Sequence, residues 1–414
     1  MLFRFYCFLG AASIAGAQSS SLSLDDAIRL AWANDPTVAA LALTPELAKA
    51  REAQAGIRPN PEVEFTAATP TPLKNESEWA LGVGVSQRLP RRERIEQARA
   101  VARLGGESAA LHLREQRRQL AGEVRRIYYD TVVQQTRRDV AQRTLATQRE
   151  LAATLERRRA AGEIAATDID LLAFEITRAE QALAFAEADL VASTQRLRGR
   201  LRLPADAPLV LGSTLQTLLA RPLPSAPVAL ETARPTLALA ALAIRQAEAA
   251  VALARSESRP DWTVGGGLDF ERRTNDFTGR LENDPRLSVR ASVPWPRRVS
   301  NRGDILEKQA ALRIAEAELA AAQNELTAEI ASAVAVVRAL QPVLLAHQTS
   351  LAPGGALPET VRAAYERGEV TALQLAQARQ QRFALETDFL QAAALYATAL
   401  AQAETAAGLV PPQF

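Results

Sequence analysis

The sequence contains the same pattern twice, and this internal duplication constrains the fold more than any other feature. Residues 162–164 and 368–370, Gly-Glu-Ile and Gly-Glu-Val, match at a separation of 206 positions, and leucines in the preceding helical stretches match at the same separation. Two copies are fewer than the three or more repeats that a solenoid generally needs. We therefore predict a first structural repeat at 18–202, a connector at 203–234 and a second structural repeat at 235–414.

The amino terminus, residues 1–17, has the pattern of a secretory signal peptide. Arg4 precedes an apolar stretch that ends in Ala15, Gly16 and Ala17, the small-x-small pattern that signal peptidase accepts. A short buried helix is the alternative interpretation of this stretch. Farther along the chain, no stretch has the roughly 18 uncharged apolar residues of a membrane-spanning helix. The sequence thus predicts an exported protein that is periplasmic, secreted or inserted in an outer membrane as a β-barrel.

Each copy is predicted to contain the same order of elements. A helix ends at an Arg-Pro pair, because proline holds the residue before it in extended geometry. Two strands follow, and a long helix with a coiled-coil-like seam then reverses at a glycine into a returning helix. Pro342, Pro353 and Pro358 are expected to break or kink the second long helix. The predicted helices are 37–58, 92–160 and 168–201 in the first copy, and 236–258, 303–367 and 371–406 in the second.

The predicted strands alternate between apolar and polar side chains. Trp79, Leu81 and Val83 belong to one face, and Ala80 and Gly82 belong to the other. Four such strands, arranged as two β-hairpins, cannot close a barrel, because closure needs about eight strands or more. Pooling the strands of several copies would close one, with apolar residues facing lipid and polar residues facing a water-filled lumen. The alternative is a soluble sandwich that buries the same aromatic residues in its core.

Composition excludes several classes of function. Lys and Arg number 49 against 47 Asp and Glu, so the near-neutral chain is not a dedicated nucleic-acid binder. The chain has only 2 His and 1 Cys, and Cys7 lies in the predicted signal peptide. This argues against structural zinc sites, thiol nucleophiles and disulfide frameworks. Without a catalytic constellation in the sequence, we expect no enzyme activity, no cofactor and no metal site.

Several short motifs occur in a specific order along the chain. Arg-Pro-Asn-Pro at 58–61 precedes the first strand, and Gln-Arg-Leu-Pro at 87–90 and Val-Pro-Trp-Pro at 293–296 lie at the junctions from strand to long helix. Ser-Asn-Arg-Gly at 300–303 and Ala-Tyr-Glu-Arg-Gly-Glu at 364–369 complete the set. With these motifs, nearly the whole mature chain resembles the TolC-type outer-membrane factor (outer-membrane efflux protein) family.

The resemblance implies a fold class that is mainly α with a small β part, built from long antiparallel helical hairpins and two β-hairpins. It implies a homotrimer that pools 12 strands into an outer-membrane barrel and its helices into a periplasmic helical barrel. The expected partners are outer-membrane lipid, a periplasmic adaptor protein and an inner-membrane transporter. The implied function is a passive exit channel of a tripartite efflux pump or a type I secretion system. The alternative is a periplasmic adaptor or another soluble coiled-coil scaffold protein.

The resemblance also implies a periplasmic gate at the hairpin tips. Asp168 matches an acidic gate position and Tyr365 a gate tyrosine, with a helix N-cap and ordinary hairpin packing as their respective alternatives. The basic gate partner of other members falls at Val370, where this chain departs from the family and Arg367 is the candidate substitute. The acidic lumenal ring of other members falls at two neutral residues, Gln374 and Gln377.

Further residues are expected to contact partners. The hairpin tips, as adaptor-docking points, comprise Gly162, Glu163, Gly368 and Glu369. The strand-end aromatics expected at the lipid–water interface are Trp79, Trp262 and Trp295. Arginine clusters at 91–94 and 297–302 are expected either to contact lipid phosphates or to be ordinary solvated charge.

Overall fold

The computed structural model describes residues 21–68, 78–160, 166–222, 234–274, 278–294, 301–351 and 357–408. The predicted signal peptide, the tip residues Gly162 and Glu163, Trp295, Pro353 and residues 297–300 of the second arginine cluster lie outside the described residues. The described chain is mostly helical and contains one small antiparallel sheet. This confirms the predicted fold class, mainly α with a small β part.

The sheet has four antiparallel strands in the order β1-β2-β3-β4, namely β1 (Glu62–Ala68), β2 (Trp79–Leu89), β3 (Trp262–Thr274) and β4 (Leu281–Ser292). Both predicted β-hairpins are present, and pairing of β2 with β3 joins them into one sheet. The second hairpin is longer than the sequence predicts, because pairing continues through charged residues as far as Thr274 and Leu281. Pro285 lies in β4, which is an edge strand within the single chain, the usual place for a proline in a sheet.

The helices of the described residues are α1 (Leu24–Asn34), α2 (Pro36–Ala42), α3 (Thr44–Ala55), α4 (Arg92–Ala160), α5 (Ala166–Leu201), α6 (Leu215–Leu219), α7 (Pro235–Glu257), α8 (Arg302–Leu351), α9 (Leu357–Glu366) and α10 (Ala372–Ala406). The bounds of α4 are those that the sequence predicts. The returning helices α5 and α10 end at the predicted residues and begin within two residues of the predicted positions.

The single helix predicted at 37–58 is wrong, because the structure divides this stretch into α2 and α3. Pro45 has no N–H with which to bond the Leu41 carbonyl, four residues earlier. The Thr44 hydroxyl donates to that carbonyl instead, at 2.6 Å. The proline therefore begins a new helix, as proline commonly does in a first turn.

Of the break or kink expected at Pro342, the break does not occur, because α8 continues through this residue from Arg302 to Leu351. A proline removes the hydrogen bond that its own nitrogen would donate, and the rest of so long a helix retains its bonds. Pro358, in contrast, lies in the first turn of α9, where a missing N–H costs nothing.

The chain forms two compact units. The helical unit comprises Met1–Ala39, Gln116–Leu230 and Leu326–Phe414, and the sheet unit comprises Ala40–Glu115 and Glu231–Glu325. Each unit draws residues from both halves of the sequence. The boundaries of the sequence repeats stay a prediction.

A buried ion network lies in the core of the helical unit. The Glu404 carboxylate accepts a hydrogen bond from the Tyr129 hydroxyl at 2.8 Å, and it lies 2.9 Å from Arg125 Nε and 3.2 Å from Arg221 Nε. Burial raises the pKa of Tyr129 and lowers the pKa of Arg125, while the nearby Glu404 charge acts to raise both. The network fastens the end of α10 to α4 and to the segment that follows α6.

A second ion cluster lies in the sheet unit, directly before β3. The Asp261 side chain is only 3% exposed and lies 2.8 Å from Arg94 Nη1 and 3.0 Å from Arg88 Nη2. Arg94 also contacts Glu257 at 3.0 Å. This arginine of the 91–94 cluster therefore holds α4, α7 and the start of β3 together, a structural role that neither expectation for the cluster included.

Among the residues that the structure describes, two helices are long and apolar enough to cross a membrane by length and composition alone, α7 and the Arg302–Ser350 part of α8. The most apolar window of each helix has a mean hydropathy of 1.6 and at most two charged residues. Neither helix contains the uncharged apolar stretch of about 18 residues that the sequence is expected to lack. One or two such helices are weak evidence for a membrane span. Only 22% of the first window and 17% of the second are buried, which leaves apolar helix surface open in the single chain.

The buried network predicts a specific loss of stability. Replacing Arg125→Met should lower the free energy of unfolding by about 3 kcal/mol, because a buried carboxylate loses a partner. Replacing Arg149→Met, which breaks an exposed ion pair with Glu180, should cost no more than about 1 kcal/mol. Urea denaturation in detergent, followed by helical circular dichroism, measures both variants. Equal losses would show that the Glu404 network contributes no more than a surface pair.

Candidate functional site

The second helical hairpin reverses at Gly368. Its backbone has a φ of 79°, a left-handed value that glycine adopts without strain. The Gly368 amide donates to the Tyr365 carbonyl at 3.0 Å, and the Glu369 amide donates to the Ala364 carbonyl at 2.9 Å. These bonds close the last turn of α9, so the turn expected at Gly368 is present. The matching turn at Gly162 lies outside the described residues.

Two predicted tip residues form an ion pair with each other. Arg367 Nε and Nη2 donate to the two carboxylate oxygens of Glu369, at 2.7 and 3.0 Å. These hydrogen bonds raise the pKa of Arg367 and lower the pKa of Glu369. Both side chains are exposed, so the pair fixes the local shape of the tip and adds little stability.

Gln374, a predicted lumenal position, caps a helix in this structure. The Thr371 hydroxyl accepts a hydrogen bond from the Gln374 amide at 3.3 Å, and the Gln374 side-chain oxygen accepts one from the Thr371 amide at 2.8 Å. This reciprocal capping box begins α10. Gln377 is exposed one turn farther along the helix.

Tyr365 is buried in an apolar cluster that joins the two hairpins. The cluster, which we call the tip core, contains Leu151, Leu155, Leu172, Tyr365 and Leu375. The guanidinium carbon of Arg158 lies 4.6 Å from the centre of the tyrosine ring, in a cation–π contact. The tyrosine hydroxyl is buried and makes no hydrogen bond to any described residue. The packing alternative for Tyr365 therefore describes this conformation, and its gate role stays a prediction.

Asp168 lies inside the first turn of α5. The helix begins at Ala166, so the alternative that Asp168 is its N-cap is wrong. An acidic residue in a first turn is favourable, because the N-terminal end of a helix carries partial positive charge. The side chain of Asp168 lies outside the described part of the structure.

Sequence reasoning missed a group of arginines in the helical unit. Arg143 on α4, Arg362 on α9, and Arg379 and Arg382 on α10 line one depression of about 280 Å³. They come from three separate segments, and only the i, i+3 spacing of Arg379 and Arg382 is visible locally. The fold is needed to bring the other two arginines to the same place.

The sheet presents a continuous apolar face that no described residue covers. The exposed fractions reach 87% for Val289, 79% for Phe65 and 78% for Leu287. The opposite face is formed by small and polar residues. Gly267 and Ser288 line a shallow depression there, and the Cβ position of Gly82 lies against Asp269 and Thr66, which also line it. A soluble sandwich would bury this apolar face, and the described chain supplies no second sheet to do so.

Two of the three predicted interface tryptophans lie at opposite ends of this apolar face. Trp79 pairs with Arg272 and Trp262 pairs with Leu89, and these two pairs are ten residue steps apart along β2 and β3. At about 3.3 Å per residue, the separation along the strands is about 33 Å. Trp79 is 37% exposed and Trp262 is 48% exposed.

Comparisons with known proteins agree with this architecture. A family model described as "Outer membrane efflux protein" matches residues 27–201 and 227–409. CusC, whose structures concern transmembrane channel formation, superposes with a TM-score of 0.75 at 17% identity, over 93% of this chain and 91% of that chain. The open-state outer membrane channel MtrE of Neisseria gonorrhoeae superposes with a TM-score of 0.72 at 18% identity, over 93% of this chain and 88% of that chain. The outer membrane channel CmeC of Campylobacter jejuni superposes with a TM-score of 0.71 at 14% identity, over 99% of this chain and 93% of that chain.

At these identities the structural similarity establishes the fold alone. No curated protein sequence matches the chain significantly. The family match covers both copies of the duplicated pattern.

The turn at Gly368 predicts opposite effects for two glycine substitutions. Gly368→Ala should lower stability by about 1 kcal/mol, because alanine is strained at a positive φ. Gly199→Ala should raise stability by about 0.5–1 kcal/mol, because this glycine lies inside α5 with open space at its Cβ position. Thermal melting of both variants measures the effects. Unchanged stability of Gly368→Ala would contradict the assignment of Gly368 as a residue that requires glycine, and a loss from Gly199→Ala would contradict the expected gain inside α5.

Proposed function

Because the chain belongs to the outer membrane efflux protein family, we propose that it is the outer-membrane exit channel of a tripartite efflux pump or a type I secretion system. As a member of a family of transport conduits, it is not an enzyme. Substrates would pass through a wide aqueous conduit, and an inner-membrane transporter, joined through a periplasmic adaptor, would supply the energy. Family membership also excludes the alternative of a periplasmic adaptor.

The uncovered apolar face of the sheet carries this proposal. Strands of outer-membrane barrels tilt by about 35–45°, so the 33 Å between the two tryptophan positions corresponds to a height of about 25 Å. The apolar band of such barrels is also about 25 Å tall and is bordered by aromatic residues at both interfaces. Trp79 and Trp262 therefore have the separation expected for the two borders of a membrane-spanning sheet.

The open edges of the sheet favour assembly of several copies. Strands β1 and β4 are the edges, and they run antiparallel to each other, so β4 of one copy can pair with β1 of the next in the usual antiparallel way. In the row of paired residues that contains Glu62 of β1 and Arg290 of β4, the polar face of the two edges carries opposite charges. Three copies would supply 12 strands, enough for a barrel with an aqueous lumen.

The apolar surface of the helices supports the same assembly. The exposed apolar side chains of α8 in the helical unit include Val336, Val343 and Leu345, and those of α5 include Phe174 and Phe185. Apolar helix surface of this extent is normally covered by another helix. Neighbouring copies of the chain would cover it in a periplasmic helical barrel.

We place the periplasmic gate at the hairpin tips, with Asp168, Tyr365 and Arg367 as its candidate residues. The tip core supports this location, because Tyr365 packs against leucines of both hairpins and would hold them together in a closed state. Gln374 and Gln377 carry no charge, so the constriction is not expected to depend on an acidic ring. We place adaptor docking at the two tips, where Gly368 and Glu369 lie on the exposed second turn.

A pair of neighbouring substitutions tests the channel. Val289→Lys places a charge on the apolar face near its middle and should cost about 2–4 kcal/mol per chain in the membrane, so insertion should fail. Ser288→Lys places the same charge on the polar face and should leave assembly intact. Light scattering of detergent-solubilised protein and conductance in planar bilayers measure assembly and function. The wild type should be a trimer with stepwise conductance.

A stable single chain in the soluble periplasmic fraction, recovered without detergent, would contradict the channel. Equal tolerance of the two lysine variants would contradict the assignment of the lipid-facing side.

A second pair tests the gate. Asp168→Ala should raise single-channel conductance, because the proposed gate loses an acidic contact at the tip. Asp170→Ala, two residues farther along α5, points away from Asp168 on the helix and should leave conductance unchanged. Planar-bilayer recordings at one salt concentration compare the two variants. Unchanged conductance in Asp168→Ala would remove this residue from the gate.

A further inference from the structure

The depression lined by Arg143, Arg362, Arg379 and Arg382, which we call the arginine groove, lies between α4, α9 and α10 of the helical unit. Its lining contains one carboxylate, that of Glu386, which accepts a hydrogen bond from Arg382 Nε at 3.2 Å. The remaining lining residues are Thr144, Thr147, Gln148 and Phe383. Among the described residues that line it, the groove therefore combines four arginines with one acidic side chain, which an arginine already engages.

The position of Arg379 is fixed by the surrounding structure. Its Nη1 donates to the Thr147 carbonyl at 3.0 Å. Burial lowers the pKa of Arg379, and the neighbouring positive charge of Arg362 lowers it further, against an opposing effect of Glu150. The guanidinium is thus held in a partly desolvated place beside a like charge. An anion in the groove would relieve both unfavourable effects.

Gln148 gives the groove a second, independent feature. Its side chain is almost fully buried, with the residue only 6% exposed, and its Oε1 makes no hydrogen bond to any described residue. Buried polar atoms in folded proteins are nearly always hydrogen-bonded. Rotation about its last side-chain torsion exchanges Oε1 and Nε2, so one polar atom of this buried amide stays unsatisfied beside the arginines in either orientation.

The dimensions of the groove restrict its occupant. A volume of about 280 Å³ is at the small end of the range for ligand sites, and it suits one or two side chains better than a whole peptide. The groove is open to solvent, so a lone small anion would be bound weakly. Carboxylates presented together on a protein surface gain affinity, because one contact holds the next in place.

We propose that the arginine groove binds glutamate or aspartate side chains of a helical segment in a periplasmic partner protein. The proposal deepens the proposed function, on which it rests, by adding a contact away from the hairpin tip. Arg379 lies about two helical turns from the start of α10, which follows the turn at Gly368, so one partner helix along the hairpin would contact both places. Arginine suits this role, because its planar donors match the geometry of a carboxylate.

The test uses the full-length protein in lipid nanodiscs and a fluorescent alanine-rich helical peptide with glutamates at i, i+4 spacing. Arg143→Gln and Arg379→Gln should each weaken binding by about fivefold. The matched control is Arg338→Gln, an exposed arginine of α8 outside the groove, which should leave binding unchanged. A peptide with glutamine in place of glutamate should not bind. Circular dichroism confirms that each variant is folded.

Two outcomes would overturn the proposal. An equal loss for Arg338→Gln would show diffuse attraction to positive charge, with no built site. Citrate that binds as tightly as the peptide, with the same dependence on Arg143 and Arg379, would show a small-anion site. Conductance of the same nanodisc preparation, after transfer to planar bilayers, is measured in parallel. Normal conductance without peptide binding would contradict the proposed binding at the arginine groove and would be consistent with the proposed channel function.

Discussion

The architecture depends on a sheet that is too small to cover itself. Four strands leave two unpaired edges and one apolar face, and the described residues contain no second sheet. Water does not accommodate a surface of this kind cheaply, because exposed strand edges and large apolar patches drive association. In the proposed assembly, lipid on the apolar face and identical strands at the edges would satisfy both requirements together. The exposed apolar surface of α8 likewise needs to be covered by another molecule or another copy of the chain.

Buried ion clusters connect specific helices and strands within each unit. Asp261, directly before β3, forms ion pairs with Arg88 at the end of β2 and with Arg94 at the start of α4. Glu404, near the end of α10, forms ion pairs with Arg125 and Arg221. A buried ion pair is weak evidence for stability as such, but removal of one partner is costly. We infer that these clusters specify which elements meet, a role that apolar packing between similar long helices performs poorly.

Much of this fold can be predicted from the sequence, because its periodicities are long and regular. The bounds of α4 and the pairing within both hairpins follow from heptad-like and alternating patterns. The sequence fails where one local bond decides the outcome: Pro45 divides a predicted helix because Thr44 replaces its hydrogen bond, whereas α8 absorbs Pro342. The arginine groove and the tip core are not predictable, because each brings together side chains from three or more distant segments.

The tip illustrates how local bonding changes the expected role of a residue. Arg367 is engaged by Glu369, two residues away, and Gln374 is engaged by Thr371, so these side chains stabilise a turn and a helix start. At the tip, Tyr365 and four leucines instead form an apolar contact between the hairpins, with the Arg158 guanidinium over the tyrosine ring. A gate closed by packing responds weakly to ionic strength, because salt screens charge and leaves apolar burial nearly unchanged. Opening would then require a partner that separates the packed hairpins, and the arginine groove is a place on the same helices where a partner could act.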